Sequence, residues 1–291
     1  MRAAPLGLIL DMDGVLYRGE RPLPGLGEFF AVAAARPYLL VTNNSLVTSE
    51  DCRAKLRRMG VRVPATAIYT VSDAVASHLA AEVRPGARAL VLGGPALRAA
   101  VAGAGLRVTG ALDSGQTSPG ADIPAAIADV PADVVVVGLD TAFSYAALTQ
   151  AIRSVAAGAR FVTTSLDPVL LTEESIAPGA GAIVAAIAAC VRTEPVCVGK
   201  PSPAMFTLAA ARLGLAAEDL LVVGDSIEAD IAGGRAAGAR TALLLSGVSG
   251  RDDPGPHNPD LILEGLPQLS AFLAQAWREQ AGGRLARSGH G

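Results

Sequence analysis

The sequence has few aromatic residues, no excess of basic residues and no long hydrophobic run. Aromatic residues make up only 4% of its 291 residues, and 24 Lys and Arg stand against 27 Asp and Glu. A near-neutral chain with so few stacking side chains lacks the electrostatic and aromatic features of a nucleic-acid binder. Its apolar runs are shorter than the roughly 18 residues that a membrane helix needs. We therefore predict no nucleic-acid partner and no membrane contact.

Cysteine is scarce too, and its positions favour a reducing compartment. Cys52, Cys190 and Cys197 have neither paired spacing nor the spacing of metal ligands. The apolar stretch Leu6–Leu10 is too short for the core of a signal peptide. We predict a cytoplasmic protein, whose 51% of hydrophobic residues suffice for the core of one large domain or two modest ones.

Short apolar runs alternate with helical segments along the chain. The runs show no polar alternation, which is typical of strands that are buried on both faces of a parallel sheet. They cover Leu6–Leu10, Tyr38–Val41, Ala67–Thr70, Ala89–Leu92, Val134–Val137, Arg160–Thr164, Val196–Val198, Leu220–Val223 and Thr241–Leu245. Strands that alternate with helices in this way predict an α/β fold with a doubly wound, mostly parallel sheet.

The middle of the chain has its own set of strands and helices, which predicts an inserted second domain. The 26 residues between Gly14 and Val41 (15 through 40) are too few for a domain, whereas the interval from Ser45 to Lys200 can hold one. The predicted parts are a discontinuous catalytic core over 1–80 and 192–275, a smaller α/β cap domain over 81–191, and a frayed tail over 276–291.

Four segments place polar residues directly after an apolar strand. They are Asp11-Met-Asp-Gly14, Thr42-Asn-Asn44, Gly199-Lys-Pro201 and Gly224-Asp-Ser-Ile-Glu-Ala-Asp-Ile231. One such Asp is more often a turn former or a helix cap than a catalytic group. All four together favour a site, because the carboxyl ends of parallel strands line one crevice. Clustered carboxylates need a counter-charge, and oxygen ligands favour Mg²⁺.

The same segments resemble the motifs of the haloacid dehalogenase superfamily of phosphatases. Val137-Gly-Leu-Asp140, Phe143-Ser-Tyr145 and Pro178-Gly-Ala-Gly181 extend the resemblance, so that it spans residues 11 to 231. The pattern is most similar to the group that contains NagD-type nucleotidases, 4-nitrophenylphosphatases, phosphoglycolate phosphatases and pyridoxal phosphate phosphatase. This resemblance implies a Rossmann-like core with a C2-type cap.

The resemblance also implies an activity, the Mg²⁺-dependent hydrolysis of a small cytosolic phosphate ester. Asp11 would attack phosphorus and form an aspartyl-phosphate. Asp13 would be the general acid and then the general base, with neighbouring acids favouring its protonated form. Thr42, Asn43 and Lys200 would bind the phosphoryl oxygens.

The metal ligands implied by the resemblance come from the first and last motifs. Mg²⁺ would be held by the Asp11 carboxylate, the Asp13 backbone carbonyl and Asp225, with waters completing its shell. Asp230 would anchor those waters. Ala229 departs from the family pattern, which usually has Thr before the second Asp of this motif.

The cap would supply contacts to the leaving group and to a second copy of the chain. Asp140 and Asp167 are the candidate substrate residues, and a homodimer through the cap is the expected assembly. Ser165 stands where relatives typically have Asn, which leaves the substrate open. Pro178–Gly181 also suggests a dinucleotide loop, but the third glycine position is Val184 and no acidic partner follows.

Two other functions remain open at this point. A phosphotransferase of the same fold would pass the phosphoryl group to an acceptor other than water. A regulator that binds phosphate without catalysis would also use strand-end acids and a lysine. The presence of both Asp11 and Asp13, together with an inserted lid, favours turnover.

Overall fold

The computed structural model describes residues 4–109, 132–171, 176–251, 253 and 258–288. The chain divides into two compact units, of which one comprises Met1–Thr42, Ser49–Tyr69 and Lys200–Gly291, and the other Asn43–Thr48 and Thr70–Gly199. Across the described ranges, no helix combines the length and apolar character needed to cross a bilayer.

The strands that the structure describes are mostly short. In chain order they are β1 Gly7–Asp11, β2 Tyr17–Arg18, β3 Arg21–Pro22, β4 Tyr38–Thr42, β5 Ile68–Thr70, β6 Arg88–Leu92, β7 Arg107–Thr109, β8 Val134–Val137, β9 Arg160–Thr163, β10 Val169–Leu171, β11 Ile176–Pro178, β12 Val196–Cys197, β13 Leu220–Gly224, β14 Arg240–Leu244 and β15 Leu261–Leu263. Each of the nine predicted strands is present, with ends within one residue of the prediction.

The described helices run between these strands and after the last of them. They are α1 Leu26–Ala33, α2 Ser49–Arg58, α3 Val71–Glu82, α4 Pro95–Gly103, α5 Tyr145–Ala156, α6 Ala180–Val191, α7 Pro203–Leu213, α8 Ala232–Ala236 and α9 Leu266–Ser288. Single turns of 3₁₀-helix lie at Ala65–Ala67 and Ala217–Asp219, and a π-helical turn lies at Ile227–Ile231.

The first unit is built on a six-stranded sheet in the order β15-β14-β13-β1-β4-β5. β1 pairs in parallel with β13 on one side and with β4 on the other. All five residues of β1 and of β13 are buried, as expected for central strands covered on both faces. The carboxyl ends of these strands therefore meet at one edge of the sheet.

The last helix, α9, packs against α1 in the first unit. Leu266, Leu269 and Leu273 are fully buried, and the indole of Trp277 donates a hydrogen bond of 2.9 Å to the Pro5 carbonyl oxygen. The helix runs to Ser288, past residue 276, where the sequence predicts the frayed tail to begin.

The second unit contains a five-stranded parallel sheet in the order β12-β9-β8-β6-β7. Its helix α3 starts with a capping box, in which the Thr70 hydroxyl accepts from the Asp73 N–H and the Asp73 carboxylate accepts from the Thr70 N–H. Phe161 of β9, Val135 of β8 and Ile187 of α6 belong to one apolar cluster between sheet and helices. The observed α/β architecture, two mostly parallel sheets with helices, confirms the predicted fold class.

Candidate active site

The carboxyl ends of β1 and β13 form the topological switch point of the first sheet. Beyond β1 the chain continues outward through β4 and β5, whereas beyond β13 it continues through β14 and β15 on the opposite side. Ligands of open α/β sheets bind at such a point. Asp11 is the last residue of β1, and Asp225 directly follows β13. The strand order thus brings together two acids that are more than 200 residues apart in sequence.

Lys200 links Asp11 to a third acid. Its Nζ atom lies 2.5 Å from Asp11 Oδ1 and 2.7 Å from Asp230 Oδ1. The second oxygen of Asp230 accepts a hydrogen bond of 3.2 Å from the Ser226 N–H. All three charged side chains are buried. One ammonium therefore serves two carboxylates, and Asp230 has both oxygens committed to the protein.

The charges of this group are strongly coupled. Burial raises the pKa of Asp11 to about 7, although the Lys200 ammonium opposes that shift. Burial alone would lower the pKa of Lys200, but the carboxylates of Asp11 and Asp230 outweigh it and raise that pKa above its ordinary value. Lys200 is therefore a fixed positive charge at neutral pH.

Asp225 is hydrogen-bonded by backbone N–H groups of the residues that follow β14. The Val248 N–H donates a 2.8 Å hydrogen bond to Asp225 Oδ2, and the Ser249 N–H donates a 2.9 Å bond to the Asp225 carbonyl oxygen. Gly14 and Gly247 both pack so closely that a Cβ on either would overlap the Asp225 carboxylate. Burial is the largest cause that raises the pKa of Asp225, followed by the charge of Asp230.

The three carboxylates fit a hard divalent cation. Asp11, Asp225 and Asp230 each place an oxygen such that all these atoms lie within 4.8 Å of one another. Oxygen donors in a small cluster, with room for water, are the ligand set that Mg²⁺ prefers. Because Asp230 already binds Lys200 and Ser226, Asp11 and Asp225 are the acids whose remaining oxygens are suited to direct coordination.

Asp13 lies in the turn after β1 and is exposed to solvent. Its backbone forms a bridge with Tyr17, and the Gly14 N–H donates to the Tyr17 carbonyl oxygen at 2.8 Å. Partial loss of water raises the pKa of Asp13, which the Lys55 ammonium opposes. Glu20 is the neighbouring acid that adds to the rise, so desolvation rather than acid clustering is its main cause.

The two neighbouring residues Thr42 and Asn43 fall in different compact units. Thr42 is buried at the end of β4, one residue beyond Val41, the register partner of Asp11. Asn43 belongs to the second unit, where its Oδ1 atom would lie 2.9 Å from a Cβ on Gly199. The first unit therefore brings together Asp11, Thr42, Lys200, Asp225 and Asp230, whereas Asn43 is placed by the second.

The predicted cap residues follow strands of the second sheet. Asp140 comes after β8, and its Oδ1 atom accepts a 2.9 Å hydrogen bond from the Ala142 N–H. Asp167 comes after β9, is exposed, and accepts from the Ser165 hydroxyl at 2.9 Å. Each carboxylate thus closes a local turn within its own loop.

The glycines of Pro178–Gly181 have a packing role in the same unit. A Cβ on Gly179 or Gly181 would overlap the backbone of residues 166–167. The Gly181 N–H donates a 2.9 Å hydrogen bond to the Asp167 carbonyl oxygen. These contacts explain the glycines without a bound dinucleotide.

Comparisons with known proteins identify the family of this chain. The model of the family described as haloacid dehalogenase-like hydrolase matches residues 8–107, and a related HAD-hydrolase-like model matches 197–269. The D-glycerol 3-phosphate phosphatase of Mycobacterium tuberculosis is 33% identical over 95% of this chain and 76% of its own length. The chain belongs to the haloacid dehalogenase-like hydrolase family.

Relatives within the family indicate which kind of hydrolase it is. The dihydroxyacetone phosphatase of Corynebacterium glutamicum is 30% identical over 95% of this chain and 94% of its own length. NagD from E. coli K-12 superposes with a TM-score of 0.78 at 31% identity, over 90% of this chain and 97% of that one. This haloacid dehalogenase-like hydrolase is therefore a NagD-like phosphatase, a phosphoric monoester hydrolase.

One solved relative was crystallised with a metal. The glycerol phosphate phosphatase of Mycobacterium tuberculosis in complex with magnesium superposes with a TM-score of 0.77 at 31% identity, over 93% of this chain and 79% of that one.

With Ala229 in place of the usual threonine, the last motif of this phosphatase is still held by hydrogen bonds from Ser226. The Ser226 hydroxyl accepts a 3.0 Å hydrogen bond from the Ala229 N–H, and the Ser226 N–H donates to Asp230. The π-helical turn Ile227–Ile231 is thus capped by Ser226, and Asp230 is held without a neighbouring threonine hydroxyl.

Sequence reasoning missed two parts of the site. Lys55 of α2 lies 4.0 Å from the ring centre of Tyr17 and 3.5 Å from Glu20. Its positive charge opposes the rise in the pKa of Asp13. The residues after β14, from Ser246 to Ser249, supply backbone donors to Asp225. The latter had a usable signal, since small and polar residues directly follow an apolar strand there as in the four recognised motifs.

Proposed function

We propose that this NagD-like phosphatase is Mg²⁺-dependent and hydrolyses a small phosphate monoester through an aspartyl-phosphate on Asp11. The observation that carries the proposal is the buried group of Asp11, Lys200 and Asp230, which lies beside Asp225 at the switch point of the sheet. A nucleophilic carboxylate, a fixed cation and two further acids in this arrangement suit phosphoryl transfer.

In the first step, an oxygen of Asp11 attacks phosphorus while the bond to the leaving-group oxygen breaks. Asp13 donates its proton to that oxygen, so the leaving group departs as an alcohol. The raised pKa of Asp13 supports this role, because a larger fraction of the carboxyl carries the proton. Lys200 and Thr42 bind the phosphoryl oxygens, with Asn43 as a further donor.

In the second step, water attacks the phosphorus of the aspartyl-phosphate and Asp13 takes its proton. The bond between phosphorus and the Asp11 oxygen breaks, which releases inorganic phosphate and restores the Asp11 carboxylate. Lys200 remains charged throughout and offsets the negative charge of Asp11.

Asp11, the Asp13 carbonyl and Asp225 are the proposed metal ligands, with Asp230 behind them. When bound, Mg²⁺ would neutralise charge on the phosphoryl oxygens and help orient them. The support is the all-oxygen donor set of this chain and the magnesium in the structure of the related glycerol phosphate phosphatase.

The substrate we propose is a phosphate ester of a short polyol or hydroxyketone. Two relatives are named D-glycerol 3-phosphate phosphatase and dihydroxyacetone phosphatase. We further propose that the second unit is the cap and that Asp140 and Asp167 accept hydrogen bonds from the leaving group. Carboxylates in those positions would favour hydroxyl groups and repel an acid such as phosphoglycolate. A cytoplasmic location and a homodimer through the cap remain part of the proposal.

The test is phosphate release from a panel containing glycerol 3-phosphate, dihydroxyacetone phosphate, phosphoglycolate and 4-nitrophenyl phosphate. Each is assayed with Mg²⁺, with EDTA and with Asp11→Asn. Asp219→Asn is the matched control, because Asp219 precedes β13 and so lies at the opposite end of that strand from Asp225. We expect Mg²⁺-dependent release that Asp11→Asn abolishes and Asp219→Asn leaves intact.

Other outcomes would replace the proposal. Phosphoryl transfer that requires an added acceptor would identify a phosphotransferase. Phosphate binding without turnover of any ester would identify a regulator. Faster release of phosphate from phosphoglycolate than from the esters with uncharged leaving groups would contradict the proposed role of Asp140 and Asp167.

A further inference from the structure

The loop from Ser246 to Ser249, here the 246–249 loop, forms one wall around Asp225. Its Val248 N–H bonds a carboxylate oxygen of Asp225, and its Ser249 N–H bonds the Asp225 carbonyl oxygen. The Ser249 hydroxyl in turn accepts a 3.0 Å hydrogen bond from the Ile227 N–H. A Cβ on Gly247 would overlap the Asp225 side chain, so the backbone of this loop packs directly against the carboxylate.

Two side chains fasten the 246–249 loop to the segment that follows β1. Arg18 donates from Nε to the Ser246 carbonyl oxygen at 2.9 Å and from a terminal nitrogen to the Gly247 carbonyl oxygen at 3.2 Å. The Ser246 hydroxyl donates to the Gly14 carbonyl oxygen at 2.8 Å. Gly14 itself also packs against the Asp225 carboxylate.

A guanidinium is well suited to this fastening. Its rigid fork of donors can bond two consecutive carbonyl oxygens at once, which a lysine ammonium cannot reproduce with the same geometry. The fork lies on β2, whose partner strand β3 is the other half of a two-stranded hairpin. The loop that holds Asp225 is thereby tied to the same turn that carries Asp13.

We propose that Arg18 is a positioning residue for the metal centre, which acts by holding the 246–249 loop against Asp225. The inference rests on the proposed role of Asp225 as a metal ligand. Arg18 contacts neither substrate nor metal in this account, and its effect passes through the backbone of residues 246–248. Partners behind a ligand of this kind change metal affinity because they fix the direction of the ligand oxygen.

The sign of the effect separates positioning from simple electrostatics. Arg18 is a cation, so its removal would by charge alone strengthen the binding of a divalent cation. Positioning predicts the reverse, because a loosened loop lets the Asp225 carboxylate move off its productive direction. A weaker site after loss of a positive charge is therefore a result that charge cannot explain.

The experiment is isothermal titration calorimetry of the full chain with Mg²⁺ in the absence of substrate. Electron paramagnetic resonance of bound Mn²⁺ gives a second readout that is independent of activity. For Arg18→Met we expect the Kd to rise about tenfold, the lower end of the effect of outer partners on metal sites. Arg18→Lys should give an intermediate affinity. Arg21→Met, at an exposed position on the paired strand of the same hairpin, is the matched control and should leave the Kd unchanged.

Ser246→Ala removes one hydroxyl of the same fastening and should weaken Mg²⁺ binding in the same direction. It decides the question if Arg18→Met does not fold. The inference is overturned if the Kd of Arg18→Met equals or falls below the wild-type value while Asp225→Asn still weakens Mg²⁺ binding. If Arg18→Met does not fold, the same result for Ser246→Ala overturns it. If Asp225→Asn binds Mg²⁺ like wild type, the proposed metal ligand is wrong, and this inference falls with it.

Discussion

Replacing Lys200 with methionine would leave the buried carboxylates without their ammonium. The Lys200, Asp11 and Asp230 side chains are 5%, 11% and 2% exposed, and the Nζ atom lies 2.5 Å and 2.7 Å from the two acids. Removing one partner of a buried ion pair costs about 3–5 kcal/mol, because the remaining charge is uncompensated. At roughly 2 °C per kcal/mol for a large domain, we expect the melting temperature of Lys200→Met to fall by about 6–10 °C.

The loss of stability in Lys200→Met should grow as the pH rises. Without Lys200, burial and Asp230 raise the pKa of Asp11 further above its ordinary value, so at acidic pH the carboxyl takes up a proton and part of the penalty disappears. At about pH 8.5 the carboxyls are more fully ionised and the penalty is larger. We also expect kcat/KM to fall about 10²–10³-fold, as when one preorganised donor to a transition state is removed.

Thermal unfolding followed by circular dichroism, at an acidic pH and at about pH 8.5, measures the loss of stability. Arg53→Met is the matched control, since Arg53 pairs with Glu50 at 2.7 Å on the surface of α2 and the two side chains are 39% and 60% exposed. A solvent-screened pair of this kind contributes about 0–1 kcal/mol. Equal losses for the two variants, or a Lys200→Met protein as stable as wild type at the higher pH, would refute the description of the site as a buried charged group.

Three further predictions follow from the same contacts. Gly247→Ala places a Cβ against the Asp225 carboxylate, the proposed metal ligand, and should weaken Mg²⁺ binding about tenfold, whereas Gly250→Ala, with its nearest contact at 3.5 Å, should leave it unchanged; equal calorimetric affinities of the two variants would contradict this. Because burial raises the pKa of Asp11 to about 7, Mg²⁺ affinity should increase from about pH 6 to 8 with proton release, and a pH-independent affinity would count against it. The pKa of Asp133 is lowered, chiefly by a backbone N–H, so its contribution to stability is present above the ordinary value and lost as the pH falls through the lower folded value. Denaturant unfolding of Asp133→Asn should accordingly approach wild-type stability on acidification, and a constant difference would disprove the assignment.

The central strands could be predicted from the sequence because burial on both faces leaves an uninterrupted apolar run. Val134–Val137 has the same bounds in prediction and structure, and β1 is displaced by one residue. The strands that were missed, β2, β3, β7, β10, β11 and β15, are two or three residues long and include partly exposed positions. Such strands form because a partner strand is present, which a local pattern does not record.

The strand-end acids of the site could also be located, because parallel strands bring their carboxyl ends to one edge. Asp11 and Asp225 lie together with Asp230 as that rule predicts, whereas Lys200 follows β12, a strand of the second sheet, so the rule does not account for its place beside Asp11. Arg18 could not be found in this way. Its hydrogen bonds reach backbone carbonyl oxygens 228 and 229 residues away, and a backbone acceptor leaves no signature in the residue types that surround it.

The most direct test of the central claim is to locate the phosphoryl group on the enzyme during turnover. The protein is mixed with glycerol 3-phosphate and Mg²⁺, quenched in acid and reduced with borohydride, which converts a phosphorylated aspartate to homoserine. Peptide mass spectrometry then distinguishes residue 11 from residue 13. We expect homoserine at position 11 in wild type and none in Asp11→Asn. Turnover without modification at position 11, or modification at Asp13 instead, would contradict it.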